Sequence, residues 1–132
     1  MDRNELRQVR NRADRLNLIG RELLHLPKET VMNNCNGIGP EWFPDKLRSF
    51  ITWLNPRQKA TAAIHDMMYA CGHNFSRAND IFAINGKWEA VAAYKWYSPR
   101  RYIAIVKAQI FAKLCQKFGY MAWKAAQRKM KR

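Results

Sequence analysis

Residues 28–45 contain so many turn-forming residues that no regular helix or strand fits there, and this constrains the fold more than any other feature. The turn formers are Asn33, Asn34, Asn36, Gly37, Gly39, Pro40 and Pro44. Glycine and proline interrupt helices and strands because they either free or fix the backbone and, for proline, remove a donor. We predict a long loop over residues 28–45.

Before this loop, apolar residues recur at steps of three and four from Asp2 to Leu26. That spacing is typical of one face of an α-helix. We therefore predict an amphipathic helix over residues 2–26, ended by Pro27.

Three further helices are predicted after the loop, over residues 57–70, 77–97 and 99–118. Gly72 ends the first, Ser76 is an N-cap for the second, and Pro99 suits the first turn of the third. Gly119 separates a last amphipathic stretch. Residues 46–54 are short enough to be either a helix or a strand, and Asn85-Gly86 is a possible interruption of the second helix. The residues of that helix expected to face inward are Ile81, Phe82, Ile84, Trp88, Val91 and Ala92.

The chain has 132 residues, of which 48% are hydrophobic and 12% aromatic, a composition that supports one folded domain. We expect a mainly α fold with an N-terminal amphipathic helix at 1–27, a core at 28–98 and a basic helical region at 99–132. No apolar run reaches the roughly 18 to 20 residues of a membrane span, and the first residues are too charged for a signal peptide. The expectation is a soluble intracellular protein without a transmembrane segment.

Positive charge is concentrated in the last third of the chain. Lys and Arg total 24 against 10 Asp and Glu, a formal charge of +14, and no acidic residue follows Glu89. Such a field attracts polyanions, either nucleic acid or an anionic lipid surface, and charge alone does not choose between them.

The three cysteines Cys35, Cys71 and Cys115 are too few for a disulfide framework, and we expect them to be reduced. Neither they nor the histidines follow the spacing of a zinc site.

Two segments carry the chemistry: Cys35 to Pro40 in the loop, and His65 to Tyr69 on a helix. On a helix His65 and Tyr69 share a face while Asp66 points to a different neighbour. If the loop lies against Asp66, its backbone carbonyls and that carboxylate form an oxygen cage suited to Ca²⁺. A histidine beside a metal that polarises an ester carbonyl is a complete hydrolytic site.

This arrangement resembles the phospholipase A2 superfamily. The resemblance lies in the N-G-x-G-P sequence at 36–40, the H-D-x-x-Y sequence at 65–69 and a third segment at 79–82, in that order, and covers residues 35–82. It implies a core of two packed helices with a calcium loop. The closest likeness is to the disulfide-free phospholipase domain of parvovirus capsid proteins and to bacterial and fungal phospholipases.

The resemblance also implies roles for individual residues. Calcium would be held by Asp66 and by the carbonyls of Cys35, Gly37 and Gly39. His65 would activate the attacking water, and Tyr69 would support the site by hydrogen bonding.

The chain departs from the family at the residue that orients the histidine. The D-x-x-F spacing of the family places Asn79 there, whereas Asp80 would serve if the helix were rotated by one residue. An amide oxygen fixes the tautomer but stabilises the imidazolium less than a carboxylate does. The sequence leaves Asn79 and Asp80 as alternatives.

A second departure concerns a disulfide. Secreted relatives join the loop to the helix through two cysteines, and this chain has Ile38 and Ala62 at those positions. An unbridged version suits a chain without a signal peptide.

The basic region at 99–132 is compatible with more than one function. Its apolar residues Ile103, Val106, Ile110 and Leu114 lie on one stripe, which a packed, solvated helix would also show. Candidate lipid-binding or polyanion-binding residues are Arg100, Arg101, Lys107, Lys113 and Lys117, with Trp42 and Phe43 as an apolar rim for acyl chains.

The sequence thus favours a calcium-dependent hydrolase of glycerophospholipid esters that works on an anionic membrane surface. The alternative is a non-enzymatic basic structural protein that binds nucleic acid or other proteins in a virion.

Overall fold

The computed structural model describes residues 2–35 and 56–130, and within these ranges the chain is helical and has no β-strand. The prediction of a mainly α fold is confirmed. In chain order the helices are α1 (Arg3–Arg15), α2 (Lys28–Asn34), α3 (Lys59–Ala70), α4 (Phe75–Ala93), α5 (Pro99–Phe118) and α6 (Tyr120–Met130), with 3-10 turns at Arg21–His25 and Pro56–Gln58.

The N-terminal segment is not one continuous helix as predicted. Helix α1 ends at Arg15, and the chain then takes left-handed backbone conformations at Asn17 (φ 53°) and Gly20 (φ 88°). A Cβ atom at Gly20 would lie 2.8 Å from Ile64 Cγ2, so a glycine is needed there for the chain to pass close to α3. The apolar period continued past the helix end because the turn also buries Leu18.

The loop predicted over residues 28–45 begins later than expected. Residues 28–34 form α2, which opens directly after Pro27 and buries Val31 in the core. Asn34, one of the presumed turn formers, bonds back to Thr30 O within the helix at 2.7 Å. The rest of the predicted loop and the element predicted at 46–54 lie outside the described residues.

Helix α3 lies at the centre of the fold, and the prediction of a helix in this part of the chain is confirmed. Nine of its twelve residues are buried. It packs against α1, α2, α4 and α6. The helix ends at Ala70, and Gly72 follows with φ 73°, in agreement with its predicted role as a stop. A helix buried on most sides holds its side chains in fixed positions.

Helix α4 starts earlier and ends earlier than predicted. Its N-cap is Asn74 and not Ser76, because the Asn74 side chain accepts a hydrogen bond from Arg77 N at 3.0 Å. It runs unbroken through Asn85, whose side-chain amide bonds to both backbone groups of Ile19 at 3.0 and 2.9 Å. Helix α4 is therefore not interrupted at Asn85, and this residue instead hydrogen-bonds to the N-terminal turn.

Three residues of α4 that were predicted to face inward, Ile84, Trp88 and Ala92, are exposed. The core between α4 and α5 combines two phenylalanines with small side chains instead. It consists of Phe82, Ala108, Phe111, Ala112 and Cys115. Helix α5 begins at Pro99 and ends before Gly119, as predicted.

Candidate active site

His65 and Tyr69 lie one turn apart on α3, and both reach the same side chain on α4. His65 Nε2 is 2.8 Å from Asn79 Oδ1, and the Tyr69 hydroxyl donates to the same oxygen at 2.7 Å. Asn79 in turn donates its Nδ2 to Gln116 Oε1 on α5, at 3.1 Å. Three helices thus hold one hydrogen-bonded network.

The network assigns the protons of His65. Since Asn79 Oδ1 can only accept, the hydrogen of the imidazole must be on Nε2. The second ring nitrogen, Nδ1, then carries the lone pair, and no group in the described ranges forms a hydrogen bond with it. This is the tautomer in which Nδ1 can take a proton from a water molecule.

The imidazole of His65 is enclosed by aromatic rings. The ring centroids of Tyr69, Phe82 and Phe111 lie 4.2, 5.1 and 6.1 Å from it, and His65 is only 5% exposed. Burial lowers the pKa of His65 to about 4, with the Asn79 hydrogen bond acting in the opposite direction. The imidazole is therefore neutral near pH 7 and available as a base.

Tyr69 is buried beside Asn79 and close to α5 and the start of α6. A Cβ atom at Gly119 would lie 3.0 Å from the Tyr69 hydroxyl, so glycine makes room for it. Burial is the main cause that raises the pKa of Tyr69. The hydroxyl accordingly remains protonated and keeps donating to Asn79.

Asp66, next to His65 on α3, is half-buried and faces a different part of the molecule. Burial raises the pKa of its carboxyl to about 7, and the positive charge of Lys129 partly opposes this rise. No hydrogen-bond donor from residues 2–35 or 56–130 contacts the carboxylate. A carboxylate that is desolvated without a donor is well suited to a cation.

Cys35 is the one described residue of the other predicted segment, and it lies near Asp66. The Cys35 thiol donates to Ala63 O on α3 at 3.4 Å, one turn before Asp66, and the thiol is buried. Burial raises the pKa of Cys35, and the negative charge of Asp66 raises it further. The chain therefore enters the predicted calcium loop beside Asp66.

The structure separates the two alternatives for orienting His65. Asn79 is buried and bonded to the imidazole, whereas Asp80 is exposed. In the described residues, the hydrogen bond to His65 Nε2 from α4 is made by Asn79 and not by Asp80.

Four predicted site residues, Gly37, Gly39, Trp42 and Phe43, lie outside the described residues. The described ranges contain no group of three or more His, Cys, Asp or Glu side chains that could hold a metal. The calcium site implied by the resemblance uses one carboxylate and backbone carbonyls, so such a group is not what it requires.

The predicted basic residues all lie on α5. Arg100, Lys113 and Lys117 are exposed, and Arg101 and Lys107 are half-buried. Helix α5 meets His65 at Phe111, whose ring centroid lies 6.1 Å from the imidazole. In the described part of the chain, no helix combines the length and the apolar character needed to cross a membrane.

Sequence reasoning missed two residues near the site, Gln116 and Lys129. Gln116 bonds to Asn79, and Lys129 donates from α6 to Asn33 O at the end of α2 while its charge acts on Asp66. Both come from helices beyond the motifs. The lack of any acidic residue after Glu89 was a signal for Lys129 alone, and no sequence signal indicated Gln116.

No protein-family model, curated protein or solved structure matches this chain.

Proposed function

We propose that this protein is a calcium-dependent phospholipase A2-like hydrolase that cleaves a fatty acyl ester of glycerophospholipids. The observation that carries the proposal is the hydrogen-bonded group of His65, Asn79 and Tyr69. This bonding supports the proposal because it fixes the imidazole in the tautomer that a general base needs.

In the proposed reaction, water approaches Nδ1 of His65 and gives up a proton to it as its oxygen attacks the ester carbonyl. The imidazolium that forms keeps its Nε2 hydrogen on Asn79 Oδ1, so the ring does not rotate during the transfer. Gln116 holds the amide of Asn79 in this orientation. The proton on Nδ1 then passes to the leaving alkoxide of the glycerol.

Asp66 and the carbonyls of Cys35, Gly37 and Gly39 would hold calcium, which would polarise the ester carbonyl and stabilise the negative charge on its oxygen. Two features of the described residues support this donor set. The Asp66 carboxylate has a pKa raised by burial, and Cys35 lies against the same turn of α3.

The substrate surface in this proposal is an anionic phospholipid membrane. The exposed cations of α5, Arg100, Lys113 and Lys117, would hold the protein there by attraction to anionic headgroups.

A second candidate is a non-enzymatic basic protein that binds nucleic acid or other virion components. The enclosure of His65, which is 5% exposed, favours it, because a buried network of this kind also serves to fix three helices together. The absence of acidic residues after Glu89 gives such a protein its polyanion-binding surface.

Fatty acid release from mixed phospholipid vesicles separates the two candidates. The hydrolase releases fatty acid with calcium, stops when the calcium is chelated, and loses activity in His65→Ala. His73→Ala is the matched control, since His73 is an exposed histidine just after α3, and it should stay active. Intact vesicles with the folded protein and calcium present, together with salt-sensitive DNA binding that His65→Ala leaves unchanged, would support the second candidate.

A further inference from the structure

Helix α5 exposes an apolar face on the side opposite its core contacts. Ile103, Val106 and Ile110 are 53%, 49% and 39% exposed, and their spacing of three and four residues places them on one stripe. From the sequence, such a stripe was also expected in a helix that packs its apolar side on the core. Of the predicted stripe only Leu114 packs against the core, and the buried residues of α5 are Ala104, Ala108, Phe111, Ala112 and Cys115.

Aromatic residues extend this face at the N-terminal end of the helix. Trp96 and Tyr97, in the turn before α5, are 73% and 61% exposed, and their rings contact each other. Tyr102 is exposed as well, and its hydroxyl donates to Trp96 O at 2.6 Å, which fixes the turn to the first turn of α5. Trp and Tyr are the residues enriched where apolar lipid meets water.

Exposed cations stand near both ends of the same stripe. Lys113 and Lys117 follow Ile110 by three and seven residues and continue the line of the apolar residues, while Arg100, three residues before Ile103, flanks the stripe at its N-terminal end. We call Trp96, Tyr97, Tyr102, Ile103, Val106 and Ile110, together with these cations, the outer face of α5.

We propose that the outer face of α5 docks on the surface of an anionic phospholipid bilayer, with Ile103, Val106, Ile110 and Trp96 entering the headgroup region. The inference rests on the proposed function only in taking phospholipid as the target. An apolar stripe bracketed by cations is the pattern of helices that lie in a membrane interface.

The cations and the apolar residues of the outer face of α5 together indicate which partner binds there. Nucleic acid would neutralise the cations but would leave Ile103 and Val106 in water, since its backbone is polar. A second copy, packed antiparallel on the same stripe, would bring Arg100 against Lys113 and Lys117 of its partner, on a chain that already carries a charge of +14. An anionic bilayer provides negatively charged headgroups for the cations and an apolar environment for the apolar residues.

The test is co-sedimentation with vesicles made of ether-linked phosphatidylglycerol and phosphatidylcholine, which cannot be hydrolysed, in the presence of a calcium chelator. The triple variant Ile103→Ser/Val106→Ser/Ile110→Ser should bind at least about tenfold more weakly than the wild type. The matched control is Ile84→Ser/Trp88→Ser, which changes similarly exposed residues of α4 and should bind like the wild type.

Two further measurements use the same vesicles. Lys113→Glu/Lys117→Glu should abolish binding, whereas Lys87→Glu, an exposed lysine on α4, should weaken it far less. Brominated acyl chains should quench the tryptophan fluorescence of the wild type, and Trp96→Phe should remove part of that quenching. This last result does not depend on how the serine variants fold.

Equal vesicle binding by the triple variant and the wild type would overturn the proposal. So would a dimer that the triple variant converts to a monomer, or binding to duplex DNA in preference to these vesicles. Hydrolysis is measured separately on a water-soluble short-chain phospholipid with calcium. If the protein hydrolyses this substrate but does not bind the vesicles, the docking proposal is wrong and the proposed function is supported. If it binds the vesicles but does not hydrolyse the substrate, the docking proposal is supported and the proposed hydrolase activity is wrong.

Discussion

Asn79 places a neutral amide where a carboxylate would hold the imidazole of His65 more strongly. Its Oδ1 accepts two hydrogen bonds, from His65 and Tyr69, and all three side chains are buried. A hydrogen bond to an ionised acceptor is roughly twice as strong as a neutral one. The protein thus has an oriented base with little stabilisation of its protonated form.

Asn79→Asp should therefore raise the pKa of His65 by at least about one unit from its value of about 4, because the new carboxylate favours the imidazolium. In the proposed reaction the same change stabilises the charge that forms on His65, and hydrolysis should become about tenfold faster. NMR titration of the imidazole and fatty acid release measure the two effects.

Asp80→Asn is the matched control for this change, since Asp80 is the exposed neighbour of Asn79. It should alter neither the titration nor the rate. A His65 pKa that stays the same in folded Asn79→Asp would show that the hydrogen bond is not what governs this histidine.

Calcium affinity should depend on pH through Asp66. The pKa of this carboxyl is raised to about 7, so the carboxyl is protonated below that pH and must lose the proton to bind a cation. Calcium affinity should then fall about tenfold for each pH unit below 7 and level off above it. Isothermal titration calorimetry from pH 5 to 8 measures this, and an affinity constant over that range would contradict the assignment.

At the residue scale, the sequence predicted the members of the site that lie inside the motifs. Helical spacing puts His65 and Tyr69 on one face of α3, whereas the sequence left Asn79 and Asp80 as alternatives for the residue of α4 that they meet. It could not predict Gln116 or Lys129, since their positions depend on how α5 and α6 pack, and packing is a property of the whole fold.

At the scale of elements, the N-terminus of α3 is held by a side chain from α4. Glu89 is almost fully buried, and its Oε1 accepts from both Thr61 N at 2.6 Å and Thr61 Oγ1 at 2.7 Å. Its other oxygen has no hydrogen bond, with Arg12 at 3.6 Å from it. Burial is the main cause that raises the pKa of Glu89. The contact fixes the start of the helix that carries His65.

Glu89→Ala should destabilise the protein by about 3 kcal/mol, because it leaves two buried donors of Thr61 without an acceptor. Glu89→Gln keeps an acceptor for Thr61 and removes a buried charge, so it should cost less than about 1 kcal/mol. Urea unfolding followed by circular dichroism gives both values. Equal losses in the two variants would mean that the charge, and not the hydrogen bonds, matters at this position.

Helices α4 and α5 approach closely at Gly86 and Ala108. A Cβ atom at Gly86 would lie 2.5 Å from Ala108 Cβ, so Gly86→Ala forces the helices apart and should cost about 2 kcal/mol. Adding Ala108→Gly removes the clash, and the double variant should show a favourable coupling of about 1 kcal/mol. Ala92→Gly, an exposed site on α4, reports the helix-propensity cost of glycine alone.

The positions of the helices after Pro56 were largely predictable, because proline, glycine and the apolar period mark their ends locally. The end of α1 was not, since the chain turns at Asn17 and Gly20 to pass beside α3, a tertiary contact. The facing of α4 was misjudged for a related reason. Helices α4 and α5 approach closely at Gly86 and Ala108 and pack through Phe82 and Phe111, which leaves Ile84 and Trp88 of α4 outside.

At the scale of the whole molecule, α3 joins the two parts on which the proposals depend. On one side it holds His65 in the network that reaches α5, and at the next residue it presents Asp66 near the ends of α2 and α6. Lys129 of α6 is the cation whose charge acts on Asp66. The stability of the fold should therefore depend on whether a further cation is present there.

Calcium should stabilise the wild type against heat, and Asp66→Asn should remove that effect. Because the folded-state pKa of Asp66 is raised above its unfolded value, the stability that it contributes is lost as pH rises toward 7 and stays lost above it. At pH 8 without calcium, Asp66→Asn should thus be more stable than the wild type, by about 2 kcal/mol after allowing for partial exposure. Calcium at about one hundred times its Kd should add about 2.7 kcal/mol to the wild type alone and reverse the order of the two proteins.

Differential scanning calorimetry with calcium, with magnesium at the same ionic strength and with a chelator measures this reversal. Magnesium is the control because it demands a tighter octahedral shell and gives up its water reluctantly, so it should raise the Tm much less than calcium. Other ionisable groups, His65 and Glu89 among them, are present in both proteins, and their contributions cancel in the difference. If Asp66→Asn is less stable than the wild type at pH 8 without calcium, the carboxylate is satisfied by the protein itself and no cation is needed beside it.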